Sequence, residues 1–244
     1  MFDHSKFFAV TLATGFVVAS SVWSAAYVHR SKELRSINVT GSVERVVDSD
    51  TVKWSVTLSR LVPPVSQVDA GRRLNADRET FLAFLSEAGI SPESISVQPL
   101  SLSENMTTID FKTGQTGLTG YMANQVLVIE SPDVVQVSTL AESATFVMAE
   151  KGVTLYTQNL EYYYGKLADL KLELLAEATR NARQRGEAIL SGGGGKLGQV
   201  TSADAGVFQI TAVNSADLSD YGTYDTSSLK KKVKAVVHAT FSLD

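Results

Sequence analysis

The sequence predicts an α+β fold, antiparallel sheets covered by helices, preceded by one transmembrane helix. Residues 7–28 contain no charged side chain. After residue 35, segments with apolar side chains at every second position alternate with segments in which they recur every three or four positions, as strands and helices require. Polar turns separate these segments, which favours a domain of antiparallel sheets and helices.

The apolar segment at 7–28 is long enough to cross a bilayer. A helix of this length spans about 33 Å, against about 30 Å of hydrocarbon. Aromatic side chains at both ends favour the membrane interface, and small side chains four residues apart allow close packing with another membrane helix. The aromatic set is Phe7, Phe8, Trp23 and Tyr27, and the small set is Thr11, Gly15 and Ala19.

A cleaved secretory signal is the alternative interpretation of this segment. Lys6 would supply its charged start, and Ser24-Ala25-Ala26 its cleavage site. The segment exceeds the roughly 7–15 apolar residues of a signal peptide, which favours an anchor. We therefore expect a cytoplasmic N-terminus at 1–6, the anchor at 7–28, a linker at 29–35 and a folded domain at 36–244.

The charges beside the anchor leave its orientation open. Arg30, Lys32 and Arg35 follow it, and a charge count alone would place the following domain in the cytoplasm. Long domains behind an N-terminal apolar segment are nevertheless exported despite such charges. We expect the domain outside the cytoplasm.

The amino-acid composition excludes several kinds of functional site. The chain has no cysteine, which excludes disulfides, thiolate metal sites and a cysteine nucleophile. Its net charge is −4 and it has no basic stripe, so nucleic acid is not an expected partner. His4, His29 and His238 do not occur at metal-ligand spacing. No cofactor or metal is therefore expected.

The domain begins with two strands, one from about Ile37 to Glu44 and one from about Val52 to Ser59. Their apolar side chains alternate with polar ones, which indicates one buried face. Asp48-Ser49-Asp50 lies between them as a turn, and the pattern predicts an antiparallel hairpin. Further strands are expected near 95–103, 121–130, 153–164, 198–213 and 232–243. Polar loops are expected at 104–120 and 214–229.

Three helices are predicted from capping residues and apolar faces. The first begins after Ser66 and ends at Gly89, the second begins after Ser131-Pro132 and ends at Gly152, and the third ends at the glycines 192–195. Their apolar faces are formed by Leu74, Phe81, Leu85 and Ala88, by Val137, Leu140, Ala144 and Val147, and by Leu167, Leu170, Leu174, Ala178, Ala182 and Ile189.

Several short stretches resemble the SIMPL-domain family. They are Val39-Thr40-Gly41-Ser42 with Asp50, Gly120-Tyr121-x-Ala123-Asn124, the helix at 178–188, and Gly195-Lys196-Leu197-Gly198. The resemblance covers about residues 36–243. Its bacterial members include periplasmic immunogenic and oxidative-stress-related envelope proteins. It implies an extracytoplasmic domain, ring- or channel-like self-assembly, and no catalytic residues to transfer. Together with the anchor at 7–28, this leads us to expect a single-pass protein of the bacterial inner membrane whose domain lies in the periplasm.

Motifs that suggest catalysis do not meet their structural requirements. Gly193-x-Gly195-x-x-Gly198 matches a dinucleotide pattern, but its glycines close a helix rather than open one. Ser228-x-x-Lys231 and Lys112-Thr113-Gly114 occur in the opposite order to that of lactam-attacking serine enzymes. Asp217, Asp220 and Asp225 could gather around calcium, although solvated loop carboxylates are the commoner case.

Tyrosines and lysines provide the candidate contact residues. Tyr162, Tyr163 and Tyr164 are consecutive, so their rings must face opposite sides of a strand, either in the core or at a subunit interface. Tyr221 and Tyr224 lie in a polar loop and are candidates for exposed contacts. The lysines at 230–232 and Lys234 would either meet anionic lipid or protect a solvated strand entrance, and the second is favoured.

Three functions remain open. The first is a non-enzymatic, membrane-tethered scaffold, ring or passage formed by a large homo-oligomer, with a role in envelope maintenance or stress tolerance. The second is a periplasmic module that binds a protein partner or small ligand through the loops at 104–120 and 214–229. The third is a hydrolase whose site is assembled from residues remote in sequence.

Overall fold

The computed structural model describes residues 16–24, 36–64, 66–110, 112–215 and 219–244. Residues 16–24 form helix α1, in which every residue is exposed. The remaining described residues form two five-stranded sheets, each with its own hydrophobic core. The predicted α+β class with antiparallel sheets and helices is confirmed.

The elements follow one another along the chain as strands interrupted by three helices. The strands are β1 (Ser36–Asp48), β2 (Thr51–Val62), β3 (Ile95–Val97), β4 (Ser101–Asp110), β5 (Gln115–Ser131), β6 (Thr154–Tyr163), β7 (Leu197–Ala205), β8 (Gln209–Ala212), β9 (Thr223–Tyr224) and β10 (Lys230–Leu243). The helices are α2 (Gln67–Glu87), α3 (Val134–Glu150) and α4 (Leu167–Gly193), and Pro92–Ser94 forms a short 3-10 turn.

Sheet A has the strand order β1-β10-β8-β9, with β7 also paired to β10. All its pairs are antiparallel except β8 with β9. Helix α4 covers one face, because its apolar stripe packs on the alternate apolar side chains of β10. The core of sheet A comprises Val39, Leu170, Leu174, Ala178, Ala182, Ile210, Val233, Ala235, Val237, Ala239 and Phe241.

Sheet B has the strand order β3-β5-β2-β6, with β4 also paired to β5, and all its pairs are antiparallel. Helices α2 and α3 cover one face. Trp54 is fully buried there and meets the ring of Phe81 edge to face, with ring centroids 5.8 Å apart. The centre of the core is formed by Val52, Trp54, Val56, Leu58, Leu74, Phe81, Leu85, Leu127 and Ile129.

The predicted hairpin between the first two strands is wrong. β1 pairs with β10 in sheet A, whereas β2 lies between β5 and β6 in sheet B. The backbone N–H of Ser49 donates to Leu229 and that of Asp50 to Tyr163, both at 2.9 Å. The short connection therefore joins two sheets. Alternation identifies the buried face of a strand, but it does not identify the strand's partner.

The predicted loop at 104–120 is also wrong for most of its length. It forms the outer part of an antiparallel pair, in which β4 runs to Asp110 and β5 starts at Gln115. The predicted loop at 214–229 contains the short strand β9, and the predicted strand at 198–213 is divided into β7 and β8. Polar and glycine-rich composition suggested loops, but backbone pairing does not require apolar side chains.

The helix ends lie close to the predicted positions. α2 begins after Ser66, although the Ser66 side chain makes no capping hydrogen bond, and α4 ends at Gly193 with Gly194 as its C-cap at a φ of 73°. Ile189 was placed on the buried face of α4 but is 58% exposed. The last turns of α4 extend beyond the apolar face of sheet A, so its helical spacing there does not lead to burial.

Most of the predicted anchor lies outside the described residues. That applies to Phe7, Phe8, Thr11, Gly15 and Tyr27, and the predicted linker at 29–35 is also outside. Ala19 and Trp23 lie in α1 and are exposed, Trp23 by 79%. The described part of the chain holds no helix long and apolar enough to cross a membrane.

Candidate functional site

Gly41, in the motif that opens the domain, lies where β1 crosses α4. A Cβ atom at this position would overlap the Ala178 carbonyl oxygen and would lie 2.8 Å from the Cβ of Ala182. Only glycine lets the strand and the helix approach this closely. Ala178 and Ala182 on α4 are also small, so they and Gly41 together form this close contact between helix and strand.

Polar residues of the α4 motif bind the backbone of β1. Asn181 Oδ1 accepts a hydrogen bond from the Ser42 N–H at 3.2 Å, and Arg185 donates to the Thr40 carbonyl at 3.0 Å. These contacts fix the helix along and around its own axis on sheet A. The motif positions an element and presents no reacting group.

Asp50 holds the chain where it passes between the two sheets. Its Oδ1 accepts from the Gly165 N–H at 2.7 Å and from the Thr51 hydroxyl at 3.1 Å. The carboxylate thus ties the start of β2 to the segment that follows β6.

Tyr162 and Tyr163 are the last two residues of β6, and Tyr164 follows the strand. The Tyr162 hydroxyl lies 3.1 Å from Ser138 Oγ, and its ring packs against the core of sheet B. Tyr164 packs against the core of sheet A. The ring of Tyr163 faces that of Tyr224 at 6.3 Å between centroids, so it contacts the other sheet within the same chain.

Tyr221 and Tyr224 line an open cleft beside sheet A. Tyr221 is 96% exposed, as predicted, and Tyr224 is about half exposed. Phe208 and Lys171 line the same cleft, with the ammonium nitrogen 5.2 Å from the centroid of the Phe208 ring. Aromatic faces beside one cation give this surface the chemistry of a contact site.

Lys231 was expected in a solvated strand entrance, but its side chain is only 1% exposed. It lies on the inner face of β10, and its ammonium group donates to the carbonyls of Asp225 at 2.6 Å and Ser228 at 2.8 Å. Burial lowers the pKa of Lys231, and the charge of Asp225 opposes that shift. Lys231 holds the loop before β10 in place. Ser228 contributes a carbonyl to this arrangement.

The neighbouring lysines contact groups within the chain. Lys230 lies 3.2 Å from Asp48, Lys234 lies 3.0 Å from Glu44, and Lys232 donates to the Ser215 carbonyl at 3.1 Å. Lys230 and Lys234 lie opposite their carboxylates in the pairing of β1 with β10, whereas Lys232 contacts the segment that follows β8. β10 is paired on both sides, so these lysines do not protect a free strand edge.

The acidic loop provides one carboxylate with a clear structural role. Asp225 Oδ1 accepts from the Ser227 N–H at 2.9 Å and the Ser227 hydroxyl at 2.7 Å. Burial raises the pKa of Asp225, but hydrogen bonds from Ser228 and Ser227 outweigh burial and hold that pKa below its ordinary value. Asp217 lies outside the described residues. Within those residues, no three His, Asp or Glu side chains group as metal ligands.

His238 lies on the solvent-facing side of β10. Its Nδ1 is 3.0 Å from the Thr40 hydroxyl, across the strand pair. It is therefore a residue of the sheet surface.

A projecting strand pair forms a further candidate site that sequence reasoning placed in a loop. We call the pairing of β4 with residues 115–124 of β5 the arm. Its exposed apolar side chains are Leu102, Met106, Ile109 and Leu118, at 42, 50, 59 and 36% exposure. In the sequence, these apolar residues were the only indication of a strand, and the segment around most of them is so polar that it was predicted as a loop.

The fold is an α+β domain of two helix-covered sheets, with motif residues that position the backbone and a projecting arm. Residues 37–241 match the family model of the SIMPL domain, described as a protein of unknown function (DUF541). This chain therefore belongs to the SIMPL family, and the resemblance seen in its sequence is confirmed. No curated protein matches it.

Proposed function

We propose that this chain is a non-enzymatic, membrane-tethered envelope protein whose domain self-assembles into a large homo-oligomer in the bacterial periplasm. The arm is the observation that carries the proposal. Its four apolar side chains are exposed in the single chain, on a strand pair that projects beyond β2. Apolar surface of this kind marks a contact with another molecule.

Helix α1 supports the tether. The exposed apolar side chains of α1 are at least 56% exposed and include Phe16 and Trp23 on one side of the helix and Val18 and Val22 on the other. A helix that is apolar on all sides needs an apolar environment. The Ser20 and Ser21 hydroxyls donate to the Val17 carbonyl at 2.9 Å, which satisfies them without water.

A ring or channel would serve envelope maintenance or stress tolerance as a scaffold, the role that the family resemblance implies. Its assembly is tested by measuring absolute mass. The full-length protein in mild detergent and a version that begins at Ser36 are compared by light scattering, with the detergent mass subtracted. A large discrete assembly in both supports the proposal. Monomers in both would overturn it.

A partner-binding module is the second candidate, because of the cleft lined by Tyr221, Tyr224, Phe208 and Lys171. Tyr221 contributes little to the fold of the single chain, since it is almost fully exposed. If the domain is monomeric, Tyr221→Ala should abolish capture of the partner from an envelope extract without changing the thermal midpoint. Unchanged capture would count against this cleft.

A further inference from the structure

Two tyrosine rings meet where the two sheets adjoin. Tyr163 ends β6 of sheet B and Tyr224 lies in β9 of sheet A, and their ring centroids are 6.3 Å apart with an angle of 33° between the ring planes. This separation is within the range of aromatic rings in direct contact. In the described part of the chain, no other two tyrosine rings are in contact. The pair is therefore a specific place at which one tyrosine can react with another.

Backbone hydrogen bonds hold the chain on both sides of this pair. The Tyr162 N–H donates to the Thr226 carbonyl at 2.7 Å, which ties the residue before Tyr163 to the second residue after Tyr224. The Asp50 N–H donates to the Tyr163 carbonyl at 2.9 Å. Because the two rings are already held together, a bond between them does not require the chain to bring them into contact.

The two phenol groups differ in their surroundings. Tyr224 is 45% exposed at the open cleft, whereas Tyr163 is half-buried. Burial raises the pKa of both phenols, and the charge of Glu161 raises that of Tyr163 further. Both phenols are therefore protonated at pH 7, and each must lose a proton when it loses an electron. The Glu161 carboxylate is two residues from Tyr163 on the same face of β6, where it can accept this proton.

We propose that Tyr163 and Tyr224 are a modification site at which a one-electron oxidant forms a dityrosine bond between the two sheets. The oxidant is hydrogen peroxide activated by a haem peroxidase. It removes an electron from the exposed Tyr224, whose proton passes to water. The Tyr224 radical then takes an electron from Tyr163, whose proton passes to Glu161 while Tyr224 is reprotonated from water. A second oxidation of Tyr224 leaves one radical on each ring.

The two radicals then combine through the ring carbons next to their hydroxyl-bearing carbons. One carbon–carbon bond forms, and each bonded carbon gives up its hydrogen to the phenol oxygen of its own ring, which restores both aromatic rings. The chain loses two electrons and two protons in total, and these reduce one molecule of hydrogen peroxide to two molecules of water. Tyr224 has room to turn for this step, because almost half of its surface is exposed.

The bond would join two sheets that otherwise have separate cores. The two cores share no buried residue. A link between residues 163 and 224 closes a loop of about 60 residues, and a covalent link across a loop of that size restricts the unfolded chain. The linked chain should therefore be more stable than the unlinked chain.

Peptide mapping after oxidation tests the site. Full-length protein in mild detergent is treated with hydrogen peroxide and a haem peroxidase, and chains that remain monomeric on a denaturing gel are digested with trypsin. Cleavage after lysine separates the peptide 152–166, which contains Tyr163, from the peptide 197–230, which contains Tyr224. We expect a linked species whose mass is the sum of the two peptides less two hydrogen atoms.

Single substitutions identify the two rings. Tyr163→Phe and Tyr224→Phe should each lower the yield of the linked peptide at least tenfold, because phenylalanine has no hydroxyl group to oxidise. Tyr221→Phe is the matched control, since it removes a 96% exposed tyrosine from the same tryptic peptide. That substitution should leave the yield unchanged.

Stability provides the second measurement. The linked monomer should unfold with a thermal midpoint at least about 5 °C above that of Tyr163→Phe protein oxidised in the same way. An unchanged midpoint would overturn the inference that the bond joins the sheets. Absence of the linked peptide in monomers, or a yield that persists in Tyr163→Phe, would overturn the site itself. None of these results depends on the mass of the native assembly, so this inference and the proposed self-assembly can fail separately.

Discussion

Gly41 is the residue at which β1 and α4 approach most closely. Gly41→Ala should lower the free energy of unfolding by about 3 kcal/mol, because the added methyl group overlaps the helix backbone, which cannot move aside. Urea unfolding followed by circular dichroism measures the change. A decrease in the free energy of unfolding of less than 1 kcal/mol would show that α4 moves aside easily to make room for the methyl group.

Gly71 provides the matched control, since a Cβ at that position meets nothing within 4 Å. It lies within α2, where alanine is favoured over glycine by about 1 kcal/mol. Gly71→Ala should therefore raise the free energy of unfolding. The two substitutions add the same methyl group, so opposite signs isolate the close approach at Gly41.

Asp225 should make stability depend on pH. Its native pKa lies below the ordinary value of about 3.9, so its contribution is present above that value and is lost as pH falls through the native pKa. Asp225→Asn should cost about 0.5–1 kcal/mol at pH 7, and the cost should shrink by pH 3. Urea midpoints at both pH values measure it.

The exposed carboxylate of Asp220 serves as the control for the substitution. Asp220→Asn should change the free energy of unfolding by at most about 0.5 kcal/mol at pH 7, as surface substitutions usually do. A cost for Asp225→Asn that stays constant from pH 7 to pH 3 would contradict the role of its charge.

At the scale of elements, one ion pair joins α2 to sheet B. Arg60 Nε donates to Asp77 at 2.6 Å, its Nη2 also binds that carboxylate, and Nη2 donates to the Gly152 carbonyl at 2.9 Å. The hydrogen bond to Asp77 raises the pKa of Arg60. Asp77→Ala should cost about 2 kcal/mol, between the values for exposed and fully buried pairs.

A double-mutant cycle with Arg60→Ala measures the coupling between the two side chains. Asp69→Ala, which breaks the exposed Asp69–Arg72 pair of the same helix, should cost at most about 0.5 kcal/mol. Equal costs for the two aspartates would show that burial of Asp77 adds nothing.

An element could be predicted from the sequence where the residues that determine it are close together along the chain. The end of α4 at the glycines 192–195 was predictable because a glycine C-cap involves only neighbouring residues. Ser66 marked the start of α2, although its side chain makes no capping hydrogen bond. The partner of β1 was not, since β10 lies almost 200 residues away along the chain. Lys231 was misplaced for a different reason. Its partners, the carbonyls of Asp225 and Ser228, are only six and three residues away, but composition does not show that this segment folds back over the strand.

The arm was missed because its polar side chains suit a loop as well as an exposed strand. Met106 and Ile109 are three residues apart, which is not the alternating spacing that indicates a strand. In contrast, the motif residues around Gly41 were found by resemblance, and their role in packing became visible only where α4 crosses β1.

At the scale of the whole molecule, the residues of sheet B lie between those of sheet A along the chain. Residues 51–163 form sheet B and its helices without interruption, whereas sheet A combines β1 with strands from beyond α4. The two cores share no buried residue. Backbone hydrogen bonds and the Tyr163–Tyr224 contact link them. Such links are weak compared with an apolar interface.

The two halves should therefore lose stability separately. Phe241 and Phe81 are both fully buried, one in each core. Phe241→Ala should lower the hydrogen-exchange protection of β10 amides by about 3–4 kcal/mol and leave β2 amides nearly unchanged. Phe81→Ala should lower the hydrogen-exchange protection of β2 amides by a similar amount and that of β10 amides by less. Equal losses in both strands would show one cooperative unit, whose coupling must then come through the short connection at residues 48–50.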